Sequence, residues 1–330
     1  MKFSLIICTY KRKNALTSLL ESVIKQSVYP NQIIIVDGSP DRETKETLLK
    51  NNYKNLIYYQ VSEAERGLTK QRNFGITKVN KETDVVCFLD DDVILETNYF
   101  EEILNTYLVF PKALGVGGYI TNEVKWEKSQ KENIDLNYFY WDGFIRKEPS
   151  RFKFRKIFKL DTDSPPGYFP LFSHGRSLSF LPPSGKTYPV EQLMGGVSSF
   201  KKDLFGKIQF STYFQGYGLY EDADFSIRAS QLGELYCNTA ARLEHHHDPS
   251  GRPNRFKYGK MIVRNGWYVW RVKNPNPKLI DRYKWHVIIG VLLIIRMTNI
   301  LKGNKKKEAF QESLGRIWGW ISIFVKRSKE

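Results

Sequence analysis

The chain has 330 residues, 41% of them hydrophobic, and a formal net charge of +16. That apolar share sustains a packed core and excludes a largely disordered chain, and the length suits one large α/β domain with an appendage. The positive excess points to an anionic partner: a nucleic acid, an anionic membrane surface or a phosphorylated substrate.

Residues 2–8 read as a buried strand that opens into the polar loop Thr9-Tyr10-Lys11-Arg12. This apolar start is too short for a secretory signal and meets Lys11, Arg12 and Lys13 at once. Leu16, Leu19, Leu20, Val23 and Ile24 then share one helical face. Residues 32–36 form a second strand ending in the turn Asp37-Gly38-Ser39-Pro40-Asp41, where Asp41 can cap the next helix. Residues 56–61 are a third strand. Glu65 to Gly75 is a loop entering a helix, with Gly67 and Arg72 placed to approach a phosphate.

The organising stretch follows. Val85-Val86-Cys87-Phe88-Leu89 runs into Asp90-Asp91-Asp92. A short apolar run rich in β-branched residues reads as a strand buried on both faces. In open α/β sheets the ligand site lies at the carboxyl ends of the strands. Three adjacent carboxylates repel unless something positive joins them, and a hard divalent cation carrying phosphates is the usual solution. A solvated acidic turn is the bland alternative. Residues 98–110 read as a helix and 114–119 as a strand, so strands alternate with helices in βαβ units.

From 120 to 190 the pattern breaks into aromatics, prolines and a basic run that includes Arg146, Arg151 and Lys156. This reads as an insertion over the sheet. Regularity returns at Met194-Gly195-Gly196, whose glycines suggest a close backbone approach. A glycine loop then leads into a helix opened by Glu221-Asp222-Ala223-Asp224. Acids in a first turn also compensate the helix dipole. Residues 235–238 and 242–247 read as two strands, the second ending in His245-His246-His247. Alternation along a strand puts His245 and His247 on one side and His246 on the other. Cys8, Cys87 and Cys237 all fall in apolar runs without metal-ligand spacing, as for buried reduced thiols of a cytoplasmic protein.

The tail carries apolar blocks at 285–295, 297–301 and 317–325, with Lys302, Lys305, Lys306 and Lys307 between them and Lys326 and Arg327 at the close. Apolar faces, Trp318, Trp320 and lysine clusters fit helices lying in a membrane surface. A helical cap packed on the catalytic domain fits equally.

Together these segments resemble the family-2 inverting glycosyltransferases of the GT-A fold. The resemblance rests on Cys8-Thr9-Tyr10-Lys11-Arg12, Val36-Asp37-Gly38-Ser39, Gly67 with Arg72-Asn73-Phe74-Gly75, and Phe88-Leu89-Asp90-Asp91-Asp92. It continues through Met194-Gly195-Gly196, Glu221-Asp222-Ala223-Asp224 and a late histidine after Glu244. It covers residues 1–250 and leaves 251–330 outside. It implies a Rossmann-like, mixed and mainly parallel sheet with helices on both faces, a catalytic domain at 1–250, and a C-terminal helical extension at 251–330.

The resemblance further implies transfer of a sugar from a nucleotide-diphosphate donor, UDP-type, to a hydroxyl of a glycan or lipid-linked acceptor in cell-envelope polysaccharide synthesis. It assigns Asp92 and His245, with His247 in reserve, to Mn²⁺ or Mg²⁺, and Asp90 and Asp91 to the donor's surroundings. Asp222, with Glu221 second, becomes the base. Thr9, Tyr10, Arg12 and Asp37 line the nucleotide pocket, Gly67 and Arg72 approach the diphosphate, and Gly195 and Gly196 leave room for the donor sugar. Val197-Ser198-Ser199 departs from relatives that carry an asparagine after the glycines. The expected setting is the cytoplasm, peripheral on the inner face of the membrane, without nucleic acid as partner.

Three other readings were weighed. A nucleotidyltransferase would favour a glycine-rich phosphate loop after strand one, and Thr9–Lys13 holds no glycine. A basic nucleic-acid-binding protein lacks a recognised motif here. A catalytically dead membrane adaptor would not need both acid clusters.

Overall fold

The computed structural model describes residues 1–130, 135–214, 216–247, 253–302 and 304–325. Lys326, Arg327 and the segment 248–252 that follows the histidines lie outside the described residues. The chain divides into two compact units: Met1–Lys125 with Ser177–Gly251, and Trp126–Arg176 with Arg252–Glu330.

The first unit is built on a mixed nine-stranded sheet. Strands β1 (Phe3–Thr9), β2 (Gln32–Asp37) and β3 (Leu56–Gln60) alternate with helices α1 (Lys13–Ile24) and α2 (Glu43–Leu49). Helix α3 (Leu68–Thr77) leads to β4 (Val85–Asp90), a two-residue turn and the short β5 (Val93–Leu95). Then come α4 (Tyr99–Val109) and β6 (Ala113–Ile120). β1 pairs in parallel with both β2 and β4, and β2 with β3. The near-continuous apolar runs of β1, β2 and β4 are buried, as strands covered on both faces must be. Asp41 accepts the Glu43 N–H at the start of α2, 3.2 Å away.

Parallel pairing aligns strand ends. Thr9 stands beside Asp37, and Cys8 beside Asp90. The loops carrying Arg12, Gly38 and Asp91 therefore leave the sheet on one edge. The far side differs in direction. β11 (Val197–Lys201) inserts antiparallel between β4 and β6, and β10 (Thr187–Val190) borders β12 (Glu234–His245).

The two strands expected at 235–238 and 242–247 are one strand, β12. Its register against β6 shifts between Cys237 and Arg242. Such an irregularity bends a strand without ending it, so the break in apolar patterning looked like a loop. β12 also ends at His245, leaving His246 and His247 beyond it. A large apolar cluster around Leu5, Ile7, Leu19, Ile33, Leu89 and Phe100 packs this unit. Cys87, within it, and Cys237 are buried free thiols, and Cys8 is a partly buried one, its thiol pushed up to about 12 by burial.

The second unit holds a small antiparallel sheet of β7 (Glu127–Lys128), β8 (Tyr138–Trp141) and β9 (Phe144–Lys147), and helix α5 (Ser150–Ile157). It also holds three long helices: α7 (Arg255–Lys273), α8 (Leu279–Lys302) and α9 (Lys306–Val325). The segment expected to lie over the sheet is thus divided. Its ends, with β10, belong to the sheet unit, and its middle belongs with the C-terminal helices. Helix α7 falls within the helical extension expected at 251–330, where no separate bounds were expected for it. The apolar blocks at 285–295 and 297–301 are one helix, α8, which Arg296 does not interrupt.

Candidate functional site

The acid triplet is divided by the turn after β4. Asp91 points into the protein, where Thr9 donates to it at 2.7 Å and Arg12 at 3.0 Å. Burial pushes its carboxyl up to about 7 against the pull of Arg12. Asp91 therefore anchors the β1 loop. Arg12 also reaches Asp92 at 3.5 Å.

Asp90 and Asp92 turn instead toward His245. Pairing of β12 with β5 sets His245 opposite Val93, and the His246 N–H donates to the Asp92 carbonyl at 2.9 Å. Asn122, just past β6, clamps His245 by exchanging two hydrogen bonds with its backbone at 3.0 Å. The imidazole Nε2 then lies 3.1 Å from Asp92 Oδ1, and Nδ1 lies 3.4 Å from Glu123. Burial alone would lower the His245 pKa, yet the bonds to Asp92 and Glu123 lift it to about 10. The acids here demand a positive partner.

Asp90, Asp92 and His245 each bring a donor atom within 4.8 Å of the others. Carboxylate oxygens and an imidazole suit a divalent ion of the Mn²⁺ or Mg²⁺ kind, so the residues present fit such a group. Glu123, His245 and His247 form a second, overlapping donor set, with His247 2.9 Å from Glu123. His246, just beyond β12, instead meets Glu244 at 3.1 Å.

The second acid group opens α6 (Glu221–Ser230). Tyr220, just before it, holds a left-handed φ of 71°, after Gly216 and Gly218 in the same region of backbone space. Strain of this kind in a non-glycine residue persists only where the surroundings impose it. Glu221 is buried against Arg72, Oε1 to Nη1 at 2.5 Å, and Arg72 also reaches Asp90 at 3.6 Å. The guanidinium lies over the rings of Phe88 and Phe210. Burial pushes Glu221 up to about 8 despite Arg72. Asp222 keeps partial solvent access, and its carboxylate accepts the N–H groups of Ala223 at 2.8 Å and Gly195 at 3.3 Å. Desolvation still raises its pKa.

Gly195 and Gly196 join the two acid groups. A Cβ on Gly195 would lie 2.5 Å from Glu221 Oε1, and one on Gly196 would collide with the Asp90 carboxylate. Adjacent residues thus touch Glu221 and Asp90, so both groups border one cleft. The carboxylates of Glu221 and Asp90 stand where a Cβ on either glycine would lie, so no larger residue fits there.

The nucleotide-pocket residues divide in the same way. Tyr10 is exposed, with Arg66 5.3 Å above its ring. Asp37 is fully buried and already accepts from Ser39 and, at 2.9 Å, from Tyr58. Gly67 has φ 124°, and beside it the Leu68 N–H donates to Gly216. Arg72, expected at a diphosphate, is held between Glu221 and Asp90. Arg66 belongs to the basic residues of the 65–75 loop, whereas nothing in the sequence singled out Asn122 and Glu123. Glu123 follows the carboxyl end of β6, and the rule that placed Asp90 would have found it.

A family model described as "Glycosyl transferase family 2" matches residues 4–173, more than half of the chain. A glucosyl-dolichyl phosphate glucuronosyltransferase of Haloferax volcanii is 27% identical over 146 residues, 43% of this chain and 44% of that protein. An O-antigen chain rhamnosyltransferase of Salmonella typhimurium is 30% identical over 95 residues, 29% of each chain. The chain therefore spans less than half the length of these curated relatives. Among solved structures, GalNAc-T7 with UDP, GalNAc and Mn²⁺ superposes with a TM-score of 0.52 at 16% identity, over 80% of this chain and 48% of that one. The shared architecture is the GT-A fold.

Proposed function

The chain belongs to glycosyl transferase family 2, and from its cleft we propose a metal-dependent, inverting transfer of a sugar from a nucleoside-diphosphate donor, of UDP type, to an acceptor hydroxyl. The observation that carries this reading is the convergence of Asp90, Asp92 and His245 beside the Gly195-Gly196 turn that also carries Asp222.

Asp222 is the base. A hydroxyl is too weakly acidic to attack unaided, and a carboxylate that takes its proton as the bond forms contributes roughly 10²–10⁴-fold. Its partial exposure leaves it open to an acceptor, and its two backbone N–H bonds fix its direction. The acceptor oxygen bonds to the anomeric carbon, its proton passes to Asp222, and the sugar–phosphate bond breaks to release the nucleoside diphosphate. Glu221, buried on Arg72, orients the guanidinium and holds the floor of the cleft.

Asp90, Asp92 and His245 would hold Mn²⁺ or Mg²⁺. That ion would neutralise the charge gathering on the departing diphosphate. Tyr10 and Arg66 offer an aromatic and cationic wall for the nucleotide. Asp37, engaged by Ser39 and Tyr58, reaches a base only by exchanging one of those bonds, so its first role is to fix the β2 loop.

The acceptor is a glycan, lipid-linked, of the cell envelope, reached from the cytoplasmic face of the membrane. The names of the two curated relatives, and the basic and apolar C-terminal helices, support this. The test is a screen of nucleotide sugars for slow hydrolysis. One UDP-sugar should be hydrolysed with Mn²⁺ or Mg²⁺ and spared in EDTA. Hydrolysis indifferent to chelation would defeat the metal-dependent reading.

A further inference from the structure

Helix α9 is inside out. A helix in a water-soluble protein turns its large apolar side chains inward. Here the buried positions are Ala309, Glu312, Ser313, Gly315 and Gly319, with Trp320 and Ile323 half-buried against the cluster of Val263, Trp270, Trp285 and Ile289, and the exposed face carries Leu314, Trp318, Ile321 and Val325 at 41, 56, 52 and 73% exposure. With Phe310, also exposed, they recur at steps of four and three residues, a single stripe along the helix.

The small face is filled by α7. A Cβ on Gly315 would collide with the Phe256 carbonyl, and one on Gly259 with the Glu312 carbonyl. The two backbones touch. Small residues between helices and large ones outward is the packing rule of lipid-facing helices, where the surroundings are as apolar as leucine itself.

Helix α8 repeats the pattern in another form. Its inner face buries Trp285, Ile288 and Leu293, and its outer face exposes Ile280, Ile294 and Leu301. Leu279–Leu301 is long and apolar enough to cross a membrane, and only 17% of its most apolar window is buried. Asp281, Arg282 and Lys284 lie in its first two turns, and Arg296 is the one charge beyond them. It is turned inward onto buried Glu312 of α9 at 2.8 Å, and Arg316 meets the same carboxylate at 2.8 Å. Beyond Lys284 on α8 and Lys307 on α9, the exposed positions among the described residues carry no charge.

We propose that these outer faces of α8 and α9 form a monotopic lipid-binding surface, seated in one leaflet of an anionic bilayer. Spanning is disfavoured because α7, with Lys257, Lys260 and Arg264, covers the opposite side of α9 and cannot enter hydrocarbon. Exposed Lys305, Lys306 and Lys307 at the α8–α9 turn supply the charge complementarity to anionic headgroups. This surface does not depend on the transfer reaction. Vesicle binding and donor hydrolysis are therefore separate readouts, and either can fail alone.

The test is flotation of the full chain with phosphatidylglycerol-containing vesicles. Wild type should float. Leu314→Glu with Ile321→Glu, both at exposed positions, should weaken partitioning by at least about tenfold while leaving the circular dichroism and Tm unchanged. Replacing Lys305, Lys306 and Lys307 with Gln should cost roughly a hundredfold, from about 1 kcal/mol per lysine. Brominated lipids should quench fluorescence, and Trp318→Phe should remove most of that quenching, since Trp318, at 56%, is the one exposed tryptophan of the seven. Flotation unaffected by the two glutamates overturns the proposal. So does a wild-type dimer that ignores vesicles and that the same variant dissociates, because the stripe would then be covered by a second copy.

Discussion

The two units treat large apolar side chains differently, although both hold buried carboxylates on arginines. In the sheet unit, carboxylates are drawn into the protein and held by arginines: Asp91 by Arg12, Glu221 by Arg72. In the helical unit, large apolar residues are turned out and the helix contact is made of glycine and alanine. Burying charge is costly and is tolerated where each ion keeps a partner. Exposing leucine and tryptophan in a continuous stripe is costly in water and neutral in lipid. The sheet unit spends stability on a polar cleft, and the helical unit is arranged for a different solvent.

The largest effect that can break this contrast lies at the proposed base. Asp222→Asn should lower kcat by roughly 10²–10⁴-fold while nucleotide affinity is kept. Wild-type kcat should fall on acidification through a pKa above the ordinary carboxylate value of about 4, because desolvation raises Asp222 and only its ionised form accepts a proton. Unchanged turnover in the variant would remove Asp222 from the role.

Next comes Arg72→Met. It leaves Glu221 buried without its cation, and such a break costs about 3–5 kcal/mol, readable by urea denaturation. A loss below about 1 kcal/mol would mean that Glu221 is protonated in the fold and never needed Arg72.

Much of the first unit was legible because its strands follow one rule. β1, β2 and β4 are short apolar runs whose polar residues come at the carboxyl end, so Thr9, Asp37 and Asp90 could be placed together before any coordinates. The far side was not legible in this way. His245 arrives on a strand that is bent in the middle, and its meeting with Asp92 depends on the short β5, which the sequence merges with the acid run. The division of the acids, Asp91 toward Thr9 and Arg12 and the other two toward His245, is set by the turn geometry. No periodicity reports that. In the tail, the apolar residues were visible, but which face they occupy required the α7 contact.

A smaller effect tests the helix contact. Gly315→Val should cost about 1–3 kcal/mol by overpacking against the Phe256 carbonyl, seen as a lower Tm. The smallest effect is the most diagnostic of the contrast. Leu314→Gln on the outer stripe should change stability by less than about 0.5 kcal/mol in detergent-free buffer. A larger loss would show that the stripe is packed against protein.

The central claim is that Asp90, Asp92 and His245 hold a divalent ion that in turn holds a nucleoside diphosphate. Thermal unfolding with UDP, with and without Mn²⁺, in wild type and in Asp92→Asn tests it most directly. The account predicts that UDP raises the wild-type Tm only when Mn²⁺ is present, as ligand linkage requires, and that Asp92→Asn loses the rise. Equal stabilisation by UDP without metal, or an undiminished rise in the variant, would contradict it.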